Sequence, residues 1–156
     1  SDRRVLTILE RHAELQQRWD RPSLLGEWGA LSTYDGVAGH SHAIQDFVDE
    51  HLWSQTYWCW EPAFSGTDAQ LSLVRPRAHA VVGTVESIIP GELWAAEWVT
   101  TPEDVERAGE HAHHAFFVPE GATVEYAVDG EPRTVGGSGR VQPTAEPGRG
   151  RLVVRR

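Results

Sequence analysis

Thr56-Tyr57-Trp58-Cys59-Trp60-Glu61-Pro62 places three aromatic rings and a carboxylate at the end of a run that opens with Trp53. Aromatic and β-branched side chains suit a pleated, half-buried surface, so Trp53 to Trp60 reads as a strand with Trp58 and Trp60 on one face. Downstream, Leu71 and Leu73 alternate with polar neighbours, Ala78 to Ile89 runs as a strand to the Pro90-Gly91 turn, and Leu93 to Val99 forms another. Ala115 to Val118 continues the pattern. Val124, Tyr126 and Val128 then alternate up to Asp129-Gly130, a hairpin dipeptide. Thr101-Pro102-Glu103-Asp104 interrupts the strands as a helix start: Thr caps, Pro takes the first position and acids fill the positive first turn, giving a helix from Pro102 to about Gly109.

Upstream, Val5, Ile8, Leu9, His12, Leu15 and Trp19 recur at helical steps, with Pro22 just beyond them. Pro22-Ser23-Leu24-Leu25-Gly26-Glu27-Trp28 leads into a strand that ends at the Tyr34-Asp35-Gly36 turn. The stretch His40 to Leu52 fits either a helix, through Ile44, Phe47, Val48 and Leu52, or an irregular strand. One leading helix, six to eight short strands and one late helix predict a mainly β chain, its antiparallel sheet closed or nearly closed into a barrel.

The 156 residues predict a single domain over 1–156, with the leading helix in 1–21, the barrel in 24–135 and a Gly/Pro/Arg-rich tail in 136–156 that has room for a last strand. The single cysteine, Cys59, excludes an internal disulfide and a Cys-rich zinc site. All 14 basic residues are Arg, against 23 acids, and the net charge of −9 opposes a nucleic-acid surface. No apolar run reaches the roughly 20 residues of a membrane span, so a soluble, cytoplasmic protein is expected. Seven Trp call for a wide apolar interior or an aromatic-lined pocket.

Glu61 is the first candidate for chemistry. A carboxylate at the end of an aromatic strand, if buried, is raised toward the range useful for proton transfer; the alternative is a strand end facing water, closed by Pro62. Tyr34 and Tyr57 offer phenols to orient a bound carboxylate or polarise a carbonyl. The eight His include His40-Ser-His42 and His111-Ala-His113-His114. On a strand, His40 and His42 would share a face, but no Glu follows at ligand spacing, and no metal or other cofactor is expected. Cys59 between two Trp is too apolar a thiol for a nucleophile.

Trp60-Glu61-Pro62, the run Ser65 to Leu73, His79-Ala80-Val81-Val82 and Phe117-Val118-Pro119-Glu120-Gly121-Ala122 with Tyr126 resemble, in order, the motifs of the bacterial phenolic acid decarboxylases and the related MoaF-like proteins. The resemblance implies a lipocalin-like (calycin) β-barrel and a cofactor-independent lyase. It puts Glu61 at the family's carboxylate position and Tyr34 at one of its two substrate-holding Tyr positions. Ser32 stands at the other, and the segment that carries the family's Arg is shortened, with His40 and His42 there instead.

The resulting expectation is acid/base chemistry on an aromatic or polyketide-like acid. Glu61, Tyr34, Tyr57, His40 and His42 would be catalytic, and Trp28, Ser32, Trp58, Trp60, Trp94 and Trp98 would hold the substrate. The alternatives are a non-catalytic calycin-type carrier of an apolar ligand and a cyclase or isomerase on the same barrel. The expected partner is a small hydrophobic or aromatic substrate, with no nucleic acid and no membrane, and with a homodimer left open.

Overall fold

A computed structural model of the chain describes residues 2–29, 35–59 and 62–155. They form two compact units, divided between Val74 and Arg75. The fold is mixed helix and sheet, about 36% strand, and its sheets are open. The expected single barrel is therefore corrected: among the described residues no sheet closes on itself.

The first unit is built on a strand–helix–strand crossover. Helix α1 (Asp2–Trp19) precedes β1 (Leu24–Trp28), α2 (Val37–Glu50), β2 (Ser54–Tyr57), a 3-10 turn at Pro62–Phe64 and α3 (Asp68–Ser72). β1 and β2 pair in parallel, with Leu24 opposite Ser54, Leu25 opposite Gln55 and Trp28 opposite Tyr57. Parallel neighbours need a crossover connection, and α2 supplies it.

The stretch that fits either helix or strand by sequence is this crossover helix, because Val37, Ser41, Ile44, Gln45, Phe47 and Val48 are buried at helical spacing. Its inner face packs with Leu9 and Ala13 of α1, Trp28 and Trp53. The buried stripe of α1 is narrower than its apolar pattern suggests: Ile8 and Trp19 are exposed. Gln45, buried on α2, donates from Nε2 to the carbonyl of Ser72 at 3.1 Å, which ties α3 to α2.

The second unit is antiparallel throughout. It comprises β3 (Arg77–Ala80), β4 (Thr84–Ile89), β5 (Leu93–Thr100), α4 (Pro102–Ala108), β6 (Ala115–Val118), β7 (Thr123–Val128), β8 (Glu131–Arg133), β9 (Gly139–Val141) and β10 (Gly148–Arg155). One sheet runs β4-β5-β10-β7-β8 and the other β3-β6-β9. Trp94, Trp98, Tyr126, Leu152 and Val154 of the first sheet share one core with Phe116, Val118 and Val141 of the second, so the two sheets stack face to face.

The expected tail is structural. β10 lies between β5 and β7, with Gly150, Leu152 and Val154 inward and Arg149, Arg151 and Arg155 paired outward with Glu86, Glu97 and Glu125. Gly150 is required by its cross-strand partner Trp98: a Cβ there would stand 2.2 Å from the indole. No helix among the described residues is long and apolar enough to cross a membrane.

Candidate active site

The parallel pairing of β1 and β2 brings their carboxyl ends to one rim. Open parallel sheets and barrels place their ligands at such ends, because the loops that leave the strands there diverge and leave a crevice. The chain reads Leu24-Leu25-Gly26-Glu27-Trp28-Gly29 through β1, so the last two strand residues are a carboxylate and an indole. Glu27 is exposed, and Trp28 turns into the helix-packed core. On β2 the matching end is Tyr57, followed by the exposed Trp58 and Cys59.

Ring packing and backbone contacts fix this rim. The Trp28 and Tyr57 rings meet edge to face at 5.1 Å between centroids, and Tyr57 in turn lies 5.3 Å from Phe64. The Trp58 N–H donates to the Trp28 carbonyl at 2.7 Å, which continues the ladder one step past β2. Thr56 donates its hydroxyl to the Gly26 carbonyl. Gly29 has to be glycine, since a Cβ would stand 1.9 Å from the Trp58 carbonyl oxygen. The Trp28 Nε1–H is buried without a hydrogen-bond partner among the described residues. The rim therefore offers a carboxylate able to accept protons or attack an electrophile, beside an exposed indole able to cover an apolar ring face.

Of the site residues expected from sequence, the structure brings Trp28, Tyr57 and Trp58 together at this rim. Ser32, Tyr34, Trp60 and Glu61 lie outside the described residues. His40 and His42 both sit on α2, where residues two apart point to different sides, so the shared face that a strand would have given them is absent. Trp94 and Trp98 belong to the second unit's core, each 1% exposed. Among the described residues no group of three His, Cys, Asp or Glu is placed to hold a metal ion.

Glu27 was missed by the sequence reading. The available signal was the order strand, helix, strand over 24–57, which implies parallel pairing and makes an acid at the carboxyl end of the first strand a candidate.

The second His group is no cluster either. His111 is exposed, whereas His114 is fully buried between the sheets, with its Nδ1 accepting the Val82 N–H at 3.2 Å. Burial, and then the neighbouring His113, push its pKa down to about 4.

No protein-family model matches the chain, and no curated protein matches it. Solved structures do. Endo-glycoceramidase II from Rhodococcus sp. aligns over 87% of this chain with a TM-score of 0.62 and 19% identity. The same enzyme described as a lactosyl-enzyme intermediate aligns over 87% with a TM-score of 0.57 and 18% identity, and its ganglioside GM3 complex over 87% with a TM-score of 0.57 and 17% identity. In each case the chain spans about a third of the matched structure's length. At this identity the likeness concerns the fold.

These matches overturn the decarboxylase resemblance. Structures of a glycoceramidase share this fold, and the open sheets of the described residues lack the lipocalin-like, calycin barrel that the decarboxylase and MoaF-like motifs implied. The lyase, the calycin-type carrier and the cyclase or isomerase readings all rested on that barrel and fall with it. The motifs misled because short aromatic strands ending in Glu-Pro, and Val-Pro-Glu turns, follow from strand and turn chemistry common to unrelated β folds.

Proposed function

We propose that the chain is part of a glycoside hydrolase acting with retention, in which Glu27 is the nucleophile. The observation that carries this reading is the position of Glu27: an exposed carboxylate at the carboxyl end of a parallel strand, beside the Tyr57-Trp58 end of its neighbour. The fold likeness to an endo-glycoceramidase captured as a lactosyl-enzyme intermediate supports it, since such an intermediate requires a nucleophile on the enzyme. The open face of the parallel pair also supports it. Leu24 is 63% exposed and Trp58 64%, whereas parallel strands are ordinarily covered on both faces. The first unit is in this reading one segment of a larger parallel wall.

Chemically, one oxygen of Glu27 attacks the anomeric carbon as the glycosidic C–O bond breaks, and a second carboxyl group about 5–5.5 Å away protonates the leaving oxygen. That acid then deprotonates the water that cleaves the glycosyl ester and frees Glu27. The second carboxyl comes from another strand of the wall. Trp58 offers an apolar face for the sugar ring.

The test uses the protein that carries this chain, treated with a 2-deoxy-2-fluoro lactoside, which forms the glycosyl ester and releases it slowly. The expected result is a mass adduct on the peptide containing Glu27. Glu27→Ala should lower kcat at least about 1,000-fold, with partial rescue by azide as an external nucleophile. An adduct on another carboxylate, or a Glu27→Gln variant that keeps its activity, would refute the assignment.

A further inference from the structure

The connection between β3 and β4 carries the chain from an edge strand of the three-stranded sheet to an edge strand of the five-stranded one. Val82, in the middle of this connection, is held from both sides. Its N–H donates to Nδ1 of His114, the residue before β6, at 3.2 Å, and its carbonyl accepts the hydroxyl of Thr100, the last residue of β5, at 2.7 Å. Thr100 and His114 are both buried, so an end of each sheet contributes one buried polar side chain to a clasp that closes on a single residue.

An imidazole nitrogen that accepts an N–H carries no proton of its own, so the clasp requires a neutral His114 with its proton on Nε2. A protonated ring would set two N–H donors against each other, with the ring shut off from water. Its neighbours do not favour the cation. The ring lies 4.9 Å from Trp98 of β5 and 6.2 Å from Phe116 of β6, between centres, and neither of these titrates. The Pro143 carbonyl is taken by the His114 backbone N–H. The charge that acts on the ring among the described residues is that of His113, a like charge on an exposed neighbour.

We propose that this clasp is an acid-released latch: when His114 takes a proton, the Val82 N–H loses its acceptor and residues 81–83 detach from the sheet ends, while both sheets stay paired. Val81, which packs on the core shared by the two sheets, leaves with them, so acid opens the core at this point. In the released state His114 regains the ordinary histidine pKa of roughly 6.5, against about 4 in the clasp. Release is therefore favoured progressively as pH falls through that interval and changes no further below it. The latch lies wholly in the second unit and is independent of the role assigned to Glu27.

The experiment follows native-state amide hydrogen exchange of the full chain by NMR at pH 7 and pH 5, corrected for the intrinsic pH dependence of exchange and repeated at urea concentrations below the unfolding transition. The expected result is a fall of about 20-fold in Val82 protection between the two pH values, insensitive to urea as a local opening must be, while the β10 amides stay far better protected. In His114→Gln, whose side-chain oxygen accepts at any pH, that fall should vanish; in His113→Gln it should persist. The nitrogen spectrum of His114 in the native chain at pH 7 gives a reading that no variant can spoil by misfolding: Nδ1 should show as the unprotonated nitrogen. A proton on Nδ1 at pH 7, Val82 protection equal at both pH values, a fall that survives in His114→Gln or disappears in His113→Gln, or a urea dependence matching that of the β10 amides would each overturn the proposal.

Discussion

Burying the imidazole of His114 against Trp98, with ring centres 4.9 Å apart, has a thermodynamic consequence. Its pKa in the folded state is about 4, below the roughly 6.5 of an unfolded histidine. The unfolded chain therefore binds the extra proton first as pH falls. The stability contributed by the neutral ring is full above about pH 6.5, is lost progressively down to about pH 4, and changes no further below that. The loss is on the order of 2–3 kcal/mol. Urea unfolding of the native chain between pH 7 and pH 4 should show this slope, and His114→Gln should flatten it. A native slope no steeper than the variant's would contradict the burial argument.

At the scale of elements, α4 is held by its first turn. Thr101 accepts the Asp104 N–H at 3.1 Å while Asp104 accepts the Thr101 N–H at 3.0 Å, and Pro102 needs no donor at the first position. The Thr101 contacts also hold the Asp104 carboxyl below the usual carboxylate range. None of α4 is buried, so Thr101→Ala should cost about 1 kcal/mol, felt locally as faster amide exchange over residues 103–108 while β5 stays protected.

This helix was legible in the sequence because its start is written entirely in local residues, and so was the β7–β8 turn. There Asp129 and Gly130 both adopt the left-handed conformation that the dipeptide favours. The parallel pairing of β1 with β2 was not legible from the strands alone. It depends on α2, whose residues fit two periods. The last strand was hidden for the opposite reason: Gly148-Arg149-Gly150-Arg151 carries the composition of a solvated tail, and only the alternation of Gly150, Leu152 and Val154 with arginines marks it as central. Tyr57 and Trp58 of the candidate site were visible as aromatics, whereas Glu27 was one acid among 23 until the topology gave it a strand end.

At the scale of the whole molecule, each unit has its own buried clusters. Leu9, Trp28, Phe47 and Trp53 belong to one, and Trp94, Phe116 and Leu152 to the other. A lesion in one core should therefore be read out in that unit. Gly150→Ala forces a methyl group into the Trp98 indole and should cost about 1–3 kcal/mol of the second unit's stability. Hydrogen exchange followed by mass spectrometry would then show β5, β7 and β10 losing protection while α1 and α2 keep theirs. Equal loss in both units would mean that the chain unfolds as one cooperative block.

Cys59, the one thiol of the chain, is exposed immediately after Trp58 and thus at the rim that carries Glu27. A maleimide dye would attach there and nowhere else, beside an indole that quenches many fluorophores. The molecule is in effect supplied with a built-in attachment point, so that occupancy of the rim could be followed as a change in brightness, without introducing or deleting a residue.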